Sequence, residues 1–167
     1  KDISDVYEKK RDFPKAIEAY KNYLDEMKSS PDISDLFLYG RLNYYAATDS
    51  AYQDKQPTYL AEADTIFAQV AVKVPDNYLG NFWRARVNSL RDPETTQGLA
   101  KPYYEAALSI LEQKSDATKS VLVECNSYLG YYYFVKEDYN QSKQYWNKIL
   151  EIDPENETAT KALGGIK

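Results

Sequence analysis

The feature that most constrains this chain is a triad, repeated four times, in which a small residue is followed at i+4 and i+7 by further apolar residues. The triads are Ala16/Tyr20/Tyr23, Ala63/Phe67/Val70, Ala100/Tyr104/Ala107 and Ser142/Trp146/Ile149. This spacing places the three side chains of each triad on one stripe of an α-helix. The small residues lie 47, 37 and 42 residues apart along the sequence. The pattern therefore predicts an internal repeat built from helices.

A second helix is predicted before each of the last three triads, and each carries a tiny residue: Gly40, Ala85 or Gly130. Two helices approach closely only where one presents Gly or Ala, and a glycine inside a helix costs about 1 kcal/mol relative to alanine. These residues therefore indicate packing contacts. The expected helix pairs are 2–10 with 14–28, 33–48 with 58–73, 77–91 with 98–113, and 118–136 with 139–152. A last helix is expected over 156–164, with Gly164-Gly165 as its C-terminal cap.

Composition excludes several classes of site. The chain has no histidine and one cysteine, Cys125, which excludes Ser-His-Asp and Cys-His sites, histidine-ligated or multi-cysteine metal centres, and intramolecular disulfides. Its 21 basic and 26 acidic residues are evenly spread, so no basic face for nucleic acid is visible. No apolar run approaches the roughly 20 residues of a membrane-spanning helix. We expect no catalysis, cofactor, metal or nucleic-acid partner.

Two features that could suggest chemistry have simpler structural interpretations. Cys125 lies in a predicted helix and is expected to be a buried structural thiol. Three carboxylates lie close to Pro154 and are expected to supply negative charge at a helix N-terminus. They are Asp153, Glu155 and Glu157.

The fourth unit resembles the tetratricopeptide repeat (TPR), of a divergent bacterial type. The positions where that family places Leu-Gly, Tyr, a small residue, an aromatic and Pro hold Leu129-Gly130, Tyr133, Ser142, Trp146 and Pro154. The family period is 34 residues, which is shorter than the intervals here. Other departures are Ala85 and Ser4 at glycine positions and Glu112 at a proline position. The resemblance implies an all-α, right-handed α-solenoid of about four helical hairpins plus a C-terminal capping helix.

On this reading the chain is a single domain over 1–167. Its expected units are 1–31, 32–75, 76–116 and 117–154, followed by a capping helix over 155–167. The first helix begins about one turn late, so we expect the chain to be part of a longer protein. The connection Thr48–Pro57 is either a functional loop or an extension of its helices. Compartment (cytoplasmic or periplasmic) and oligomeric state stay open.

The resemblance also implies an inner, concave groove lined by the first helix of each hairpin. The residues expected to face a partner there lie one position past the small residue and about one turn either side. They are Phe37, Arg41, Tyr44, Tyr45, Phe82, Arg86, Ser89, Ser127, Tyr131 and Phe134. Arginine can bind carboxylates, and tyrosine offers a large contact area at low entropic cost. Tyr132 and Tyr133 are expected to pack between helices instead.

The implied function is a non-catalytic protein–protein interaction scaffold that holds a partner peptide or protein segment in this groove. Two alternatives stay open: a helical domain that binds a small ligand such as a glycan through exposed tyrosines, and a structural spacer or oligomerisation module. The chaperone-binding branch of the family holds a C-terminal carboxylate with a lysine and asparagine clamp. That clamp cannot be mapped here, because the inner positions hold Arg41, Arg86 and Tyr131.

Overall fold

A computed structural model of the chain describes residues 2–27, 30–114 and 116–166. The helices are α1 Asp2–Lys9, α2 Phe13–Glu26, α3 Ile33–Thr48, a 3₁₀ helix Ser50–Lys55, α4 Gln56–Lys73, α5 Leu79–Arg91, α6 Lys101–Leu111, α7 Lys119–Val135, α8 Tyr139–Ile152 and α9 Glu157–Gly165. No strand occurs within the described ranges, and the predicted all-α class is confirmed. The helices form two compact units: unit 1, Lys1–Pro75, and unit 2, Asp76–Lys167.

In unit 1 each helix packs on the next one in sequence, α1 on α2, α2 on α3 and α3 on α4. The core side chains are Ala16, Tyr20, Leu36, Tyr39, Leu42, Ile66 and Val70. Tyr20 stacks on Tyr39 with ring centroids 5.9 Å apart, and its hydroxyl donates to the buried Asp35 carboxylate at 3.1 Å. Burial, and then the negative charge of Asp35, raise the pKa of the Tyr20 phenol. This core ties the first hairpin to the second.

The turns that close the α1–α2 and α7–α8 hairpins share one backbone conformation. Arg11 and Glu137 are left-handed, with φ of 57° and 59°. The residue that follows each, Asp12 or Asp138, caps the next helix with its side chain. The N–H of each aspartate also donates to the carbonyl five residues back, at 3.0 and 2.9 Å. The repeat seen in the sequence is thus a repeat of backbone geometry as well.

The long connection between α3 and α4 is structured and is fastened to the first hairpin. The Asp49 carboxylate accepts from the Ala51 N–H at 3.0 Å and from the Arg11 guanidinium at 2.8 Å. The Tyr52 hydroxyl donates to the Arg11 carbonyl at 3.2 Å, and its ring meets Phe13 edge-on at 6.3 Å. The segment is not a continuation of α3, because Asp49 is extended, and a separate 3₁₀ helix leads from it to α4.

In unit 2, α5 to α9 also pack consecutively, and the α5–α6 connection is built around Asp92. This residue is 3% exposed, and its Oδ2 accepts from the N–H groups of Gln97, Gly98 and Leu99 at 3.0, 2.7 and 3.4 Å. Burial acts to raise the pKa of this carboxyl, but the hydrogen bonds together outweigh it and hold the pKa below its ordinary value. Gly98, with φ of 72°, lies under the Tyr132 ring.

Two hairpins are packed by an aromatic ring that fills the space beside a glycine. A Cβ added to Gly40 would lie 2.7 Å from the Phe67 ring, and one added to Gly130 would lie 2.7 Å from the Trp146 indole. Any side chain at either glycine would therefore collide with the ring. All predicted triad residues except the half-buried Tyr23 are buried, which confirms the triads as packing stripes.

The predicted and observed helix bounds differ by two or more residues in five places, one of which is the end of α6, at Leu111 instead of residue 113. Helix α2 ends at Glu26, because Met27 is already extended; Lys28, the predicted last residue, lies outside the described residues. Helix α4 begins at Gln56 instead of residue 58, and α5 at Leu79 instead of residue 77. Helix α6 begins at Lys101 instead of residue 98, since a left-handed Gly98 cannot be helical.

The predicted glycine cap of the last helix is also wrong in detail. Gly164 and Gly165 belong to the last turn of α9, and Ile166 is the residue that leaves the helix, with φ of −91° and ψ of 108°. The Ile166 side chain is buried against Trp146, Ile149 and Ala159. Apolar burial of the following residue, instead of a left-handed glycine, ends this helix. No helix in the described part of the chain is both long and apolar enough to cross a membrane.

Candidate functional site

In unit 1 the four predicted partner-facing residues form one stripe on α3. Phe37, Arg41, Tyr44 and Tyr45 are all half-buried. The Arg41 guanidinium lies 5.2 Å from the centroid of the Tyr45 ring and donates to the Tyr45 hydroxyl at 3.2 Å. Tyr44 meets Tyr45 edge-on at 5.9 Å, and Phe37 meets Phe67 at the same distance. These residues therefore form a contiguous aromatic and cationic strip.

In unit 2 the α5 residues predicted to face a partner are differently placed. Phe82 is only 4% exposed, so its ring is a core element and offers no free face to a partner. It packs edge-on against Tyr78 and Tyr104, at 6.0 and 6.2 Å. Arg86 and Ser89 are half-buried. The spacing rule predicted that Phe82 faces a partner, but its ring points towards Tyr104 of α6.

Arg86 is engaged by a carboxylate from α7. Its Nε and Nη2 donate to the two carboxylate oxygens of Glu124 at 2.7 and 2.6 Å. The guanidinium also lies 4.6 Å from the Phe82 ring centroid and 4.9 Å from that of Trp83. A two-point Arg–carboxylate contact is the strongest form of this ion pair. Arg86 thus links α5 to α7, and a partner's carboxylate would have to displace Glu124.

Tyr104 completes this network from α6. Its hydroxyl donates to Glu124 Oε1 at 3.1 Å. Burial, followed by the charge of Glu124 and the hydrogen bond to it, raises the pKa of the Tyr104 phenol. The network therefore joins three successive helices through one carboxylate. Sequence reasoning missed Glu124, because no spacing rule relates it to Arg86, 38 residues earlier.

On α7, Tyr131 and Phe134 are the most accessible of the predicted residues. Each is 42% exposed, while Ser127 is half-buried. The two rings border a cleft of about 240 Å³. Its other lining residues come from α8, α9 and the residue after α9, and they are Trp146, Lys161, Ala162, Gly165 and Ile166. Lys161 is the charged member of this set, so the lining is almost wholly apolar.

The contribution of α9 to this cleft was missed at the sequence level. The helix itself was predicted, but only as a cap, and its small residues Ala162 and Gly165 gave no sign that they border a cavity. Both lie in the last turn of α9, of which Gly165 is the final residue, and they line the cleft together with Tyr131 and Phe134 of α7. Small residues in such places leave space between helices.

The remaining candidates have structural roles. Cys125 is fully buried, as predicted, and burial followed by the charge of Glu124 raises the pKa of its thiol to about 12. Tyr133 stacks on Tyr145 with centroids 5.6 Å apart, and Tyr132 covers Gly98. Among the residues that the structure describes, no group of three potential ligands could hold a metal ion.

Solved structures that resemble this chain include the following two. One is the crystal structure of the C-terminal part of a TPR repeat-containing protein from Cytophaga hutchinsonii, with a TM-score of 0.83 and 32% sequence identity. The match covers 97% of this chain but 58% of that one, so this chain spans less than two thirds of it. The other is the crystal structure of MamA, with a TM-score of 0.69 and 19% identity over 98% of this chain and 82% of that one; it shows the fold alone. No protein-family profile and no curated protein sequence matches the chain.

Proposed function

Since this chain is a divergent protein of the tetratricopeptide-repeat type, we propose that it is a non-catalytic scaffold that binds a peptide or protein segment on the first helices of its hairpins. Helical repeats of this type support protein interaction in general; the particular surface is our proposal. The observation that carries it is the pair of exposed rings, Tyr131 and Phe134, beside an open apolar cleft. Exposed aromatic residues around a concavity are typical of protein-binding surfaces.

The ion pair between Arg86 and Glu124 in unit 2 affects which residues can bind a partner. Arg86 is held by Glu124 through two hydrogen bonds. It therefore contributes more to the link between α5 and α7 than to binding an acidic segment of a partner. Binding energy would then come mainly from burial of the aromatic rings. We therefore expect Tyr131 and Phe134, more than Arg86, to determine affinity.

The glycan alternative receives less support from the cleft. Sugar hydroxyls require several polar partners when they leave water. The side-chain polar groups that line the cleft are the Tyr131 hydroxyl, the Lys161 ammonium and the Trp146 indole N–H. Because Trp146 is 6% exposed, its N–H is poorly placed to replace water around a sugar.

The proposal is tested by affinity capture with the immobilised chain. The double variant Tyr131→Ala/Phe134→Ala should lose partner proteins that the wild type retains, whereas Val72→Ala should retain them. Val72 is a matched control because it is an apolar residue, 81% exposed, on a helix of unit 1. Circular dichroism and urea unfolding of each variant establish that the fold is intact. An identical set of captured proteins on the double variant would contradict the proposal.

The spacer alternative is tested separately. Sedimentation velocity at two concentrations, about tenfold apart, measures self-association. A chain that self-associates and captures no other protein would support an oligomerisation module in place of a binding scaffold.

A further inference from the structure

The cleft between α7 and α9 has the size for one large side chain. Its volume is about 240 Å³, and an apolar protein cavity of about 150 Å³ is already sufficient to bind benzene. Ala162 and Gly165 have little or no side chain, so an occupant of the cleft can lie against the backbone of α9. The dimensions therefore suit a phenylalanine or leucine side chain.

The lining of the cleft favours an apolar occupant. Tyr131 and Phe134 hold large, partly exposed ring faces at its border, and Trp146 lines it from α8. Covering these rings with an apolar side chain releases the water that now contacts them, which is favourable. A polar side chain would lose its own hydration there and gain few hydrogen bonds.

The charge at the border of the cleft indicates what should flank that apolar residue. Lys161 donates to Glu157 on the same helix at 3.1 Å, and the two side chains are 77% and 81% exposed. Such exposed pairs are weak, so this ammonium can exchange Glu157 for a carboxylate brought by a partner. Arg86 differs, because its two bonds to Glu124 are short and only one third exposed.

We propose that this cleft binds a peptide segment in which a large apolar side chain lies next to an acidic residue, with the apolar side chain between Tyr131, Phe134 and α9 and the carboxylate on Lys161. This assignment rests on the proposed function and adds the chemistry of the partner to it. The carboxylate determines orientation, and the apolar side chain supplies most of the affinity.

The experiment uses the Trp146 indole as a reporter inside the cleft. The ¹⁵N-labelled chain is titrated with the blocked peptide acetyl-Gly-Phe-Asp-Gly-amide, and the Trp146 indole N–H signal is identified with a Trp83→Phe variant. A saturable shift of this signal is expected. Replacing Phe by Ala in the peptide should weaken binding about tenfold to a hundredfold. Replacing Asp by Lys should weaken it about two- to fivefold at low salt, and less at high salt.

A variant that fills the cleft separates loss of binding from loss of fold. Ala162→Leu places a larger apolar side chain in the cleft without removing a core contact, and should abolish the shift while the urea midpoint is kept or raised. Ala61→Leu, a control at an exposed alanine of α4, should bind the peptide as the wild type does.

Several results would overturn the assignment. They are an unshifted Trp146 signal with the Phe-Asp peptide, equal shifts with the Phe and Ala peptides, or undiminished binding to Ala162→Leu. Self-association that Ala162→Leu abolishes would show that a second copy of the chain occupies the cleft. If capture of partners depends on Tyr131 and Phe134 while the peptide gives no shift, the proposed function stands and this assignment fails. If the peptide binds and the double variant Tyr131→Ala/Phe134→Ala captures the same partners as the wild type, the cleft has the assigned preference but the partners are bound elsewhere on the chain.

Discussion

In the α7–α8 hairpin the Trp146 indole packs over Gly130, and three residues, 136–138, join the helices. In the α5–α6 hairpin Ala85 stands at the corresponding position, and nine residues, 92–100, make the connection. The α7–α8 hairpin is thus held by the contact of Trp146 with Gly130 and by a tight turn. The α5–α6 hairpin combines the apolar contact of Phe82 with Tyr104 and a longer connection that the buried Asp92 carboxylate organises. Where this repeat has alanine in place of glycine, a buried carboxylate orders the connection between its helices.

Removal of the ring that fills the space beside the glycine is expected to have the largest effect. Trp146→Ala should lower the free energy of unfolding by about 3–5 kcal/mol, because it leaves a cavity against Gly130. Urea unfolding followed by circular dichroism gives the value. Tyr139→Ala, at a residue of the same helix that is 41% exposed, should cost less than about 1 kcal/mol. Similar losses for the two variants would contradict the packing role of the Trp146 ring.

The glycine itself is expected to come next. Gly130→Ala should destabilise by about 1–3 kcal/mol through overpacking against Trp146. Gly164→Ala is the matched control, because a Cβ at that helical glycine meets nothing within 4 Å. This control should stabilise α9 by up to about 1 kcal/mol. Urea unfolding should therefore show that Gly130→Ala lowers the free energy of unfolding and that Gly164→Ala raises it. Changes of the same sign would contradict the packing role of Gly130.

The connection between α5 and α6 should respond to Asp92→Asn, which is expected to lower the free energy of unfolding by about 1–3 kcal/mol at neutral pH, since a neutral amide oxygen accepts these N–H groups more weakly than a carboxylate oxygen does. The folded pKa of Asp92 lies below its unfolded value of about 3.9. The stabilisation from its charge is therefore present above about pH 4 and is lost as the pH falls through the folded pKa.

Urea unfolding of wild type and Asp92→Asn at pH 7 and at pH 3 tests this sign. The difference between the two proteins should shrink at pH 3. A constant difference across this range would show that the loop depends on shape and not on the charge of the carboxylate.

Glu124→Gln is expected to cost about 0.5–1.5 kcal/mol, because its ion pair with Arg86 is about one third exposed and partly screened. A double-mutant cycle with Tyr104→Phe isolates the Tyr104–Glu124 contact. Additive losses in that cycle would mean that the three groups do not act as one network. In 1 M salt the loss caused by Glu124→Gln should shrink, because its ion pair with Arg86 is screened, while the coupling to Tyr104 should be unchanged.

The smallest expected effect is at the tight turn between α7 and α8, where a substitution should raise the free energy of unfolding instead of lowering it. Glu137→Gly should stabilise the chain by up to about 1 kcal/mol, because glycine accepts the φ of 59° without strain. The same change at Arg11 should gain less, since it also removes the ion pair with Asp49. A loss of stability in the Glu137 variant, measured by urea unfolding, would show that its side chain contributes more than its backbone strain costs.

Local pattern was sufficient to predict most of the fold. The triads and tiny residues predicted which side chains meet, and Gly130 does lie against Trp146. The bounds that failed lie where longer-range contacts decide the backbone. The Asp92 carboxylate gathers three N–H groups and delays α6 to Lys101, and no local propensity encodes that.

The candidate site was less predictable than the fold. The rule of one position past the small residue placed Tyr131 and Arg86 on accessible helix faces but could not place their neighbours. Phe82 is buried by α6, and Arg86 is paired by a residue from α7. Whether a helical side chain is accessible depends on which other helix lies over it, and that partner is distant in sequence.

The sequence by itself determined that this chain folds as helical hairpins with small-residue contacts, because side-chain spacing on a helix is set by covalent geometry and the 3.6-residue turn. Only the tertiary structure decided that Arg86 is matched by Glu124 and that α9 leaves an apolar cleft beside Tyr131 and Phe134. Both depend on distances between helices, and these follow from how whole side chains pack against one another, not from the order of residues in any one helix.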